Sequence, residues 1–191
     1  VDKCVNRVIQ AAALAMAQTD THLLIVGDGT QKPALIKLCH SLGIAERVHF
    51  PGYVSMTGGL PELYRTANLF ITASEIETQG IVLLEAAASG LPLVAVRATC
   101  IPEIVHAGRN GYLAASGDLC GLGNAMSVLL KDPRKAISMG KASRALAEEH
   151  KFNFTVEAHE QLYRQMIMER RTERVDAAQN FWEYVKGWRL F

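Results

Sequence analysis

Two glutamates, Glu77 and Glu85, stand eight positions apart around Gly80 in the stretch SEIETQGIVLLEAAASG, residues 74–90. A carboxylate can accept hydrogen bonds from two neighbouring hydroxyls, the pattern that ribose and hexoses present. The apolar run after Gly80 is typical of a helix, and the free N–H groups at a helix start attract anions such as phosphate. Because glycine has no side chain, a ligand can approach the backbone closely there. The spacing therefore predicts one pocket flanked by both carboxylates.

Each glutamate also has a simpler interpretation. Glu85 could complement the dipole of its own helix, and Glu77 could be a solvated loop residue. For one isolated glutamate the simpler interpretation would be favoured. The combination of both with Gly80, directly after an apolar run that reads as a strand, favours the binding site.

A second candidate loop is GDGTQK at residues 27–32, which follows another apolar run and precedes a helical pattern. Backbone N–H groups at such a junction can bind phosphate. The dinucleotide fingerprint GxGxxG needs a glycine where this chain has Lys32. Ligand contact at Gly27 and a plain tight turn are therefore equally supported.

The elements that must position these loops follow from an alternation of two patterns. Apolar runs bounded by turn residues span 22–27, 47–54, 68–74, 91–97 and 110–116. Helical patterns span 3–18, 32–42, 60–66, 80–89, 101–107, 118–130, 133–150 and 154–170. The alternation predicts an α/β fold with a Rossmann-like parallel sheet and helices on both faces. Ligands of such sheets bind beyond the carboxyl ends of the strands, where both candidate loops lie.

The start of the chain departs from this pattern, because the helical segment 3–18 has no strand pattern before it. The first strand of a doubly wound sheet is usually central. We therefore expect either that the first strand is missing from this chain or that the sheet is built in another order.

Composition excludes several classes of protein. Twenty basic and nineteen acidic residues give a formal net charge of +1, which does not favour nucleic acid as a partner. The four cysteines show no metal-ligand or disulfide spacing, so we expect them to be reduced and mostly buried, and the protein to be cytoplasmic. No apolar run approaches the length of about 18 residues that a membrane span needs.

The stretch ETQGIVLLEAAASGLPLVA resembles the E-x7-E segment of the retaining, nucleotide-sugar-dependent glycosyltransferases of family 4, which have the GT-B fold. The similarity continues through HLLIVGDGTQKPALIKLCHSLGIAERVHFPGYV, LPELYRTANLFITAS and IPEIVHAGRNGYLAASGD, and covers roughly residues 1–168. The resemblance implies that residues 1–170 are the nucleotide-sugar-binding domain of such an enzyme, incomplete at the N-terminus. It implies transfer of a hexose to an acceptor, which we expect to be a lipid or a glycan.

The resemblance also implies a role for individual residues. Glu77 would contact hydroxyls of the donor sugar, Glu85 would hold the ribose, and Lys3 would neutralise the diphosphate in catalysis. The other implied substrate-binding residues are Thr78, Gln79, Gly80, Ile81 and Val82 at the sugar and distal phosphate, Tyr53 and Val54 at the base, and Gly27 on the floor of the pocket. Two of these have simpler interpretations, since Lys3 could be an exposed first-turn lysine and Tyr53 a packed loop aromatic.

The substrate implied is a nucleotide sugar such as UDP-glucose or GDP-mannose, with no cofactor and no metal. The family has an arginine about five residues before the lysine, and an N-terminal acceptor domain with a glycine-rich loop and a histidine at the catalytic site. This chain matches neither part, and none of its six histidines fits that role. We therefore expect the chain to bind the donor and, alone, to be inactive.

Residues 171–191 differ in composition from the rest, because they are first charged and then aromatic and hold both tryptophans. Phe181, Tyr184, Val185 and Trp188 recur at helical spacing. The resemblance implies a helical arm that would cross to the missing N-terminal domain. The alternative is a peripheral contact with a membrane surface or a partner.

Two other functions are compatible with the sequence. A nucleotide-sugar epimerase of similar fold would interconvert its donor without any acceptor. A non-catalytic binding module would use the same loops as ordinary turns and the arm as its functional surface.

Overall fold

The computed structural model describes residues 3–150 and 152–187. The chain splits into two compact units, residues 1–148 and residues 149–191. The helices are α1 (Val5–Met16), α2 (Lys32–Ser41), α3 (Leu60–Thr66), α4 (Ile81–Ala88), α5 (Ile101–Ile104), α6 (Leu119–Lys131), α7 (Pro133–Glu149) and α8 (Phe152–Gly187). The strands are β1 (Leu23–Val26), β2 (Val48–Gly52), β3 (Phe70–Thr72), β4 (Leu93–Val96) and β5 (Gly111–Ala114). Each of the predicted apolar runs thus contains a strand.

The strands pair in parallel, which confirms the predicted α/β fold. β1 pairs with β2 in the register Leu23 to Val48, and β4 lies between β3 and β5, with Leu93 opposite both Phe70 and Gly111. The pairing gives two sheets, β1-β2 and β3-β4-β5, rather than the single sheet that the alternation predicts. Within the described residues, no ladder of hydrogen bonds joins β1 to β3.

The core of the first unit is built around β4, whose four residues are all fully buried. Helices cover both faces of this strand, which explains why its sequence is apolar without alternation. On one side, α1 packs closely against α6. A Cβ at Gly123 of α6 would lie 2.9 Å from the carbonyl oxygen of Ala11, so only glycine allows this approach.

The second unit differs from the prediction in length. The helix predicted over 154–170 runs from Phe152 to Gly187, because no glycine or proline interrupts the sequence before Gly187. Helix α8 is therefore continuous across residues 170 and 171, where the sequence predicts the division between domain and arm, and that division stays a prediction.

Helix α8 exposes several apolar side chains, namely Val156, Leu162, Tyr163, Met166, Ile167 and Met168. The side chains of Phe181, Tyr184, Val185 and Trp188, on which the predicted arm depends, lie outside the described part of the structure. Among the described helices, none combines the length and the apolar composition that crossing a membrane requires.

The expectation that most of the cysteines are buried is wrong. Cys39 is buried, Cys4 and Cys100 are half-buried, and Cys120 is exposed.

Candidate functional site

Glu77 lies in the loop between β3 and α4, and its side chain is only 12% exposed. The Nζ of Lys3 donates a hydrogen bond to its Oε2 at 2.8 Å. This ion pair joins segments 74 positions apart in the chain. Glu77 is therefore not a solvated loop residue, and Lys3, although 60% exposed, is not simply a first-turn lysine.

A second ion pair lies in the same region and was not anticipated from the sequence. The Oε1 of Glu75 accepts hydrogen bonds from the Nη1 of Arg7 and from the hydroxyl of Ser116. The hydrogen bonds from Ser116 and Arg7 lower the pKa of Glu75, and the same contact with Glu75 raises the pKa of Arg7. The sequence offers one indication of this pair: Arg7 stands four positions after Lys3, and Glu75 stands two positions before Glu77.

Gly80 begins α4 in the left-handed conformation, with φ 64° and ψ 28°. Its carbonyl accepts the N–H groups of Leu83 and Leu84, at 2.9 and 3.0 Å. The N–H groups of Ile81 and Val82 therefore belong to the first turn, which has no carbonyl of its own helix to bind. Both residues are exposed, and contact of their backbone N–H groups with a phosphate or a sugar stays a prediction.

Glu85 is the fifth residue of α4 and thus lies beyond its first turn. Because the helix dipole acts on the first turn, it does not account for Glu85. The hydroxyl of Tyr64 donates a hydrogen bond to Oε2 of Glu85 at 3.0 Å. Burial raises the pKa of Tyr64, and the charge and the hydrogen bond of Glu85 raise it further. Tyr64 was overlooked in the sequence, although it lies in the motif LPELYRTANLFITAS.

Gly27 lies at the carboxyl end of β1, where its N–H donates to the carbonyl of Gly52 at 2.8 Å. Gly27 has a φ of 124°, and in the turn that follows, the Oδ1 of Asp28 accepts a hydrogen bond from the N–H of Gly29. The next residue after Gly52 is Tyr53, which is 79% exposed and so is not a packed loop aromatic. Half-buried Val54 follows it.

The contacts bring only part of the predicted set together. Lys3, Glu77 and Gly80 form one group, since Cys100 binds the carbonyl of Glu77 and its Sγ would lie 3.7 Å from a Cβ at Gly80. Thr78 and Gln79 are exposed between them. Glu85 instead accepts a hydrogen bond from Tyr64, and Gly27 donates one to Gly52.

Two shallow cavities lie along α8, and neither is lined by a predicted site residue. In the described part of the chain, no cluster of three or more His, Cys, Asp or Glu side chains could hold a metal ion. The absence of a metal from the reaction stays a prediction.

The fold and the site together define the class of protein. Parallel strands alternate with helices, as in glycosyltransferase domains of the GT-B fold, and acidic and basic side chains gather beside the start of a helix. Residues 2–146 match the family described as glycosyl transferases group 1. The chain belongs to this family, which confirms the family predicted from the E-x7-E segment.

Individual relatives agree with this assignment. N-acetyl-alpha-D-glucosaminyl L-malate synthase of Bacillus anthracis is 35% identical over 84% of this chain and 42% of its own length. D-inositol 3-phosphate glycosyltransferase of Gordonia bronchialis is 32% identical over 93% of this chain and 41% of its own length. The crystal structure of Anabaena HepE in complex with UDP superposes with a TM-score of 0.70 at 27% identity, over 82% of this chain and 44% of HepE. The chain thus spans less than half the length of these relatives.

Proposed function

We propose that this chain is the donor-binding part of a retaining glycosyltransferase, which moves a hexose from a nucleoside diphosphate sugar to a lipid or glycan acceptor. The observation that carries the proposal is the contact of Lys3 with Glu77, next to the exposed start of α4. Cation, carboxylate and helix N-terminus are the groups that a diphosphate joined to a sugar would need. HepE, which is similar in fold and sequence, binds UDP and, in another crystal structure, UDP and glucose.

The proposed reaction breaks the bond between the sugar C1 and the diphosphate oxygen, which leaves with the electron pair. The acceptor oxygen bonds to C1 on the same face, and its proton passes to the departing phosphate. Negative charge grows on the phosphate in the transition state. The N–H groups of Ile81 and Val82 would stabilise this charge, and so would the ammonium of Lys3 once it has turned from Glu77 to the diphosphate.

Donor binding would break the contact between Lys3 and Glu77 and give each side chain a new partner on the donor. The ammonium of Lys3 would turn from Glu77 to the diphosphate, and the carboxylate of Glu77 would accept hydroxyls of the sugar instead. Glu85 would accept the ribose hydroxyls with the oxygen that Tyr64 does not bind. The two glutamates would thus recognise different halves of the donor.

This division predicts different effects for two substitutions. Glu85→Ala weakens binding of UDP or GDP and of their sugar conjugates alike, whereas Glu77→Gln weakens only the sugar conjugates. Titration calorimetry with UDP, UDP-glucose, GDP and GDP-mannose measures each affinity. A thermal shift is an independent check, since ligand at 100 times its dissociation constant adds about 2.7 kcal/mol of stability.

Glu62→Ala is the matched control, because Glu62 is an exposed carboxylate paired with Arg65 on the surface of α3. It should leave all four affinities unchanged. Unaltered nucleotide affinity in Glu85→Ala, or no binding of any nucleotide to the wild-type protein, would refute the proposed function.

A further inference from the structure

The turn that follows β4 contains an unusual backbone conformation at Thr99. Its φ is 42°, in the left-handed region, which β-branched residues rarely adopt. Such a conformation persists only where the surroundings hold it in place, and it is common at functional sites. The contacts of Thr99 therefore indicate which part of the site depends on this conformation.

Thr99 and Cys100 bind the backbone of Glu77 on both of its polar groups. The Oγ1 of Thr99 accepts the N–H of Glu77 at 3.1 Å, and the Sγ of Cys100 donates to the carbonyl of Glu77 at 3.2 Å. Two adjacent side chains thus replace the backbone partners that Glu77 would have in a strand or helix. With Lys3 on the carboxylate, Glu77 is held at three points.

The same turn also packs against the other end of the loop. A Cβ built at Gly80 would lie 2.3 Å from Cδ1 of Ile104 and 3.7 Å from Sγ of Cys100. Residues 99–104 therefore contact the loop at Glu77 and at Gly80. A change in this turn would move the carboxylate relative to the start of α4.

We propose that Thr99 and Cys100 are positioning residues that fix the backbone of Glu77 and thereby aim its carboxylate at the donor sugar. The inference rests on the proposed function and deepens it. Both residues act through the backbone of Glu77, so the effect of both is on sugar recognition. The quantity they control is the preference of the protein for a nucleotide sugar over the bare nucleoside diphosphate.

Three substitutions at Thr99 in the purified full-length protein separate the hydroxyl from the backbone. Thr99→Ser keeps the hydroxyl. Thr99→Val keeps the shape without the hydroxyl, and Thr99→Gly adopts a positive φ freely, so strain cannot explain its effect. Calorimetry gives the dissociation constants of the bare nucleotides UDP and GDP and of the conjugates UDP-glucose, UDP-N-acetylglucosamine and GDP-mannose. The measured ratio is the dissociation constant of each bare nucleotide divided by that of its sugar conjugate.

We expect Thr99→Ser to retain the wild-type ratio. Thr99→Val and Thr99→Gly should lower it about tenfold, as expected for the loss of one hydrogen bond, while the affinity for UDP or GDP alone stays unchanged. At the neighbouring position, Cys100→Ser keeps a donor and should retain the ratio, whereas Cys100→Ala should lower it. Cys120→Ala is the control, because Cys120 is exposed on α6.

The outcomes distinguish this inference from the proposed function. An unchanged ratio in both Thr99→Val and Thr99→Gly overturns the positioning role, and so does an equal loss of nucleotide and nucleotide-sugar affinity, which marks a merely structural role. A wild-type protein that binds nucleotides without any preference for the sugar conjugates also overturns it. A wild-type protein that binds none of the probes overturns the proposed function itself.

Discussion

Single residues in this site carry out two tasks at once. Glu77 binds Lys3 through its carboxylate while its backbone is held by the turn after β4. Glu85 accepts a hydrogen bond from Tyr64, which leaves its other oxygen for a further donor. In both cases a neighbour restricts the carboxylate before any ligand arrives. Such preorganisation lowers the cost of binding, because less side-chain freedom remains to be lost.

Gly80 allows a sharp test at this scale, because Gly90 beyond the other end of α4 provides a matched control. Both have positive φ, 64° and 81°, but an added Cβ would meet Ile104 at Gly80 and nothing within 4 Å at Gly90. Alanine at either position should cost about 1–2 kcal/mol of stability through the left-handed backbone. We expect Gly80→Ala alone to weaken nucleotide-sugar binding as well, since it disturbs the start of α4. Urea unfolding and calorimetry measure the two effects, and equal losses of affinity in both variants would contradict the assigned role.

At the scale of elements, the ion pair between Arg7 and Glu75 connects α1 with the loop after β3, and Ser116 adds the turn after β5. Three segments that are distant in the chain therefore meet at one carboxylate. Lys3 and Glu77 make a parallel connection from the same end of α1. The position of α1 thus controls both carboxylates of the loop.

This connection predicts a pH-dependent stability. The pKa of Glu75 is lowered in the folded protein, so its charged form stabilises the fold above its ordinary pKa of about 4.3, and this contribution is lost as the pH falls through the lowered value. Glu75→Gln should therefore lower Tm at pH 7, and the difference from wild type should shrink as the pH falls below about 4. Glu62→Gln, in an exposed pair, should change Tm little at any pH. A difference for Glu75→Gln that persists undiminished in acid would show that the charge is not responsible.

At the scale of the whole molecule, the chain covers 42% of the first relative and 41% of the second. A transfer reaction needs an acceptor site as well as a donor site, and the roles proposed for the residues described above concern only the donor. We predict that the 191-residue chain alone binds UDP or GDP sugars but transfers no sugar, whereas the full-length protein does both. We also predict that a chelator leaves the transfer unchanged. Assays of labelled sugar transfer with each protein, with and without EDTA, measure both effects, and full turnover by the chain alone would contradict the first.

The sequence by itself determined which elements form and the order in which they follow. The apolar runs at 22–27 and 91–97 contain β1 and β4, and the E-x7-E segment with Gly80 indicates the family that residues 2–146 match. These features are local, because strand and helix patterns depend on residues a few positions apart. The change of composition near residue 170 does not end α8, because neither glycine nor proline interrupts the helix there.

Only the tertiary structure decided which side chains meet at the site. Lys3 binds Glu77 while Arg7 binds Glu75, Tyr64 reaches Glu85, and Thr99 holds the backbone of Glu77. These partners are 21 to 74 positions apart, so no periodicity in the sequence relates them. Their contacts arise because parallel pairing brings the carboxyl ends of β3, β4 and β5 to one edge, while packing against the sheet sets the start of α1 beside that edge.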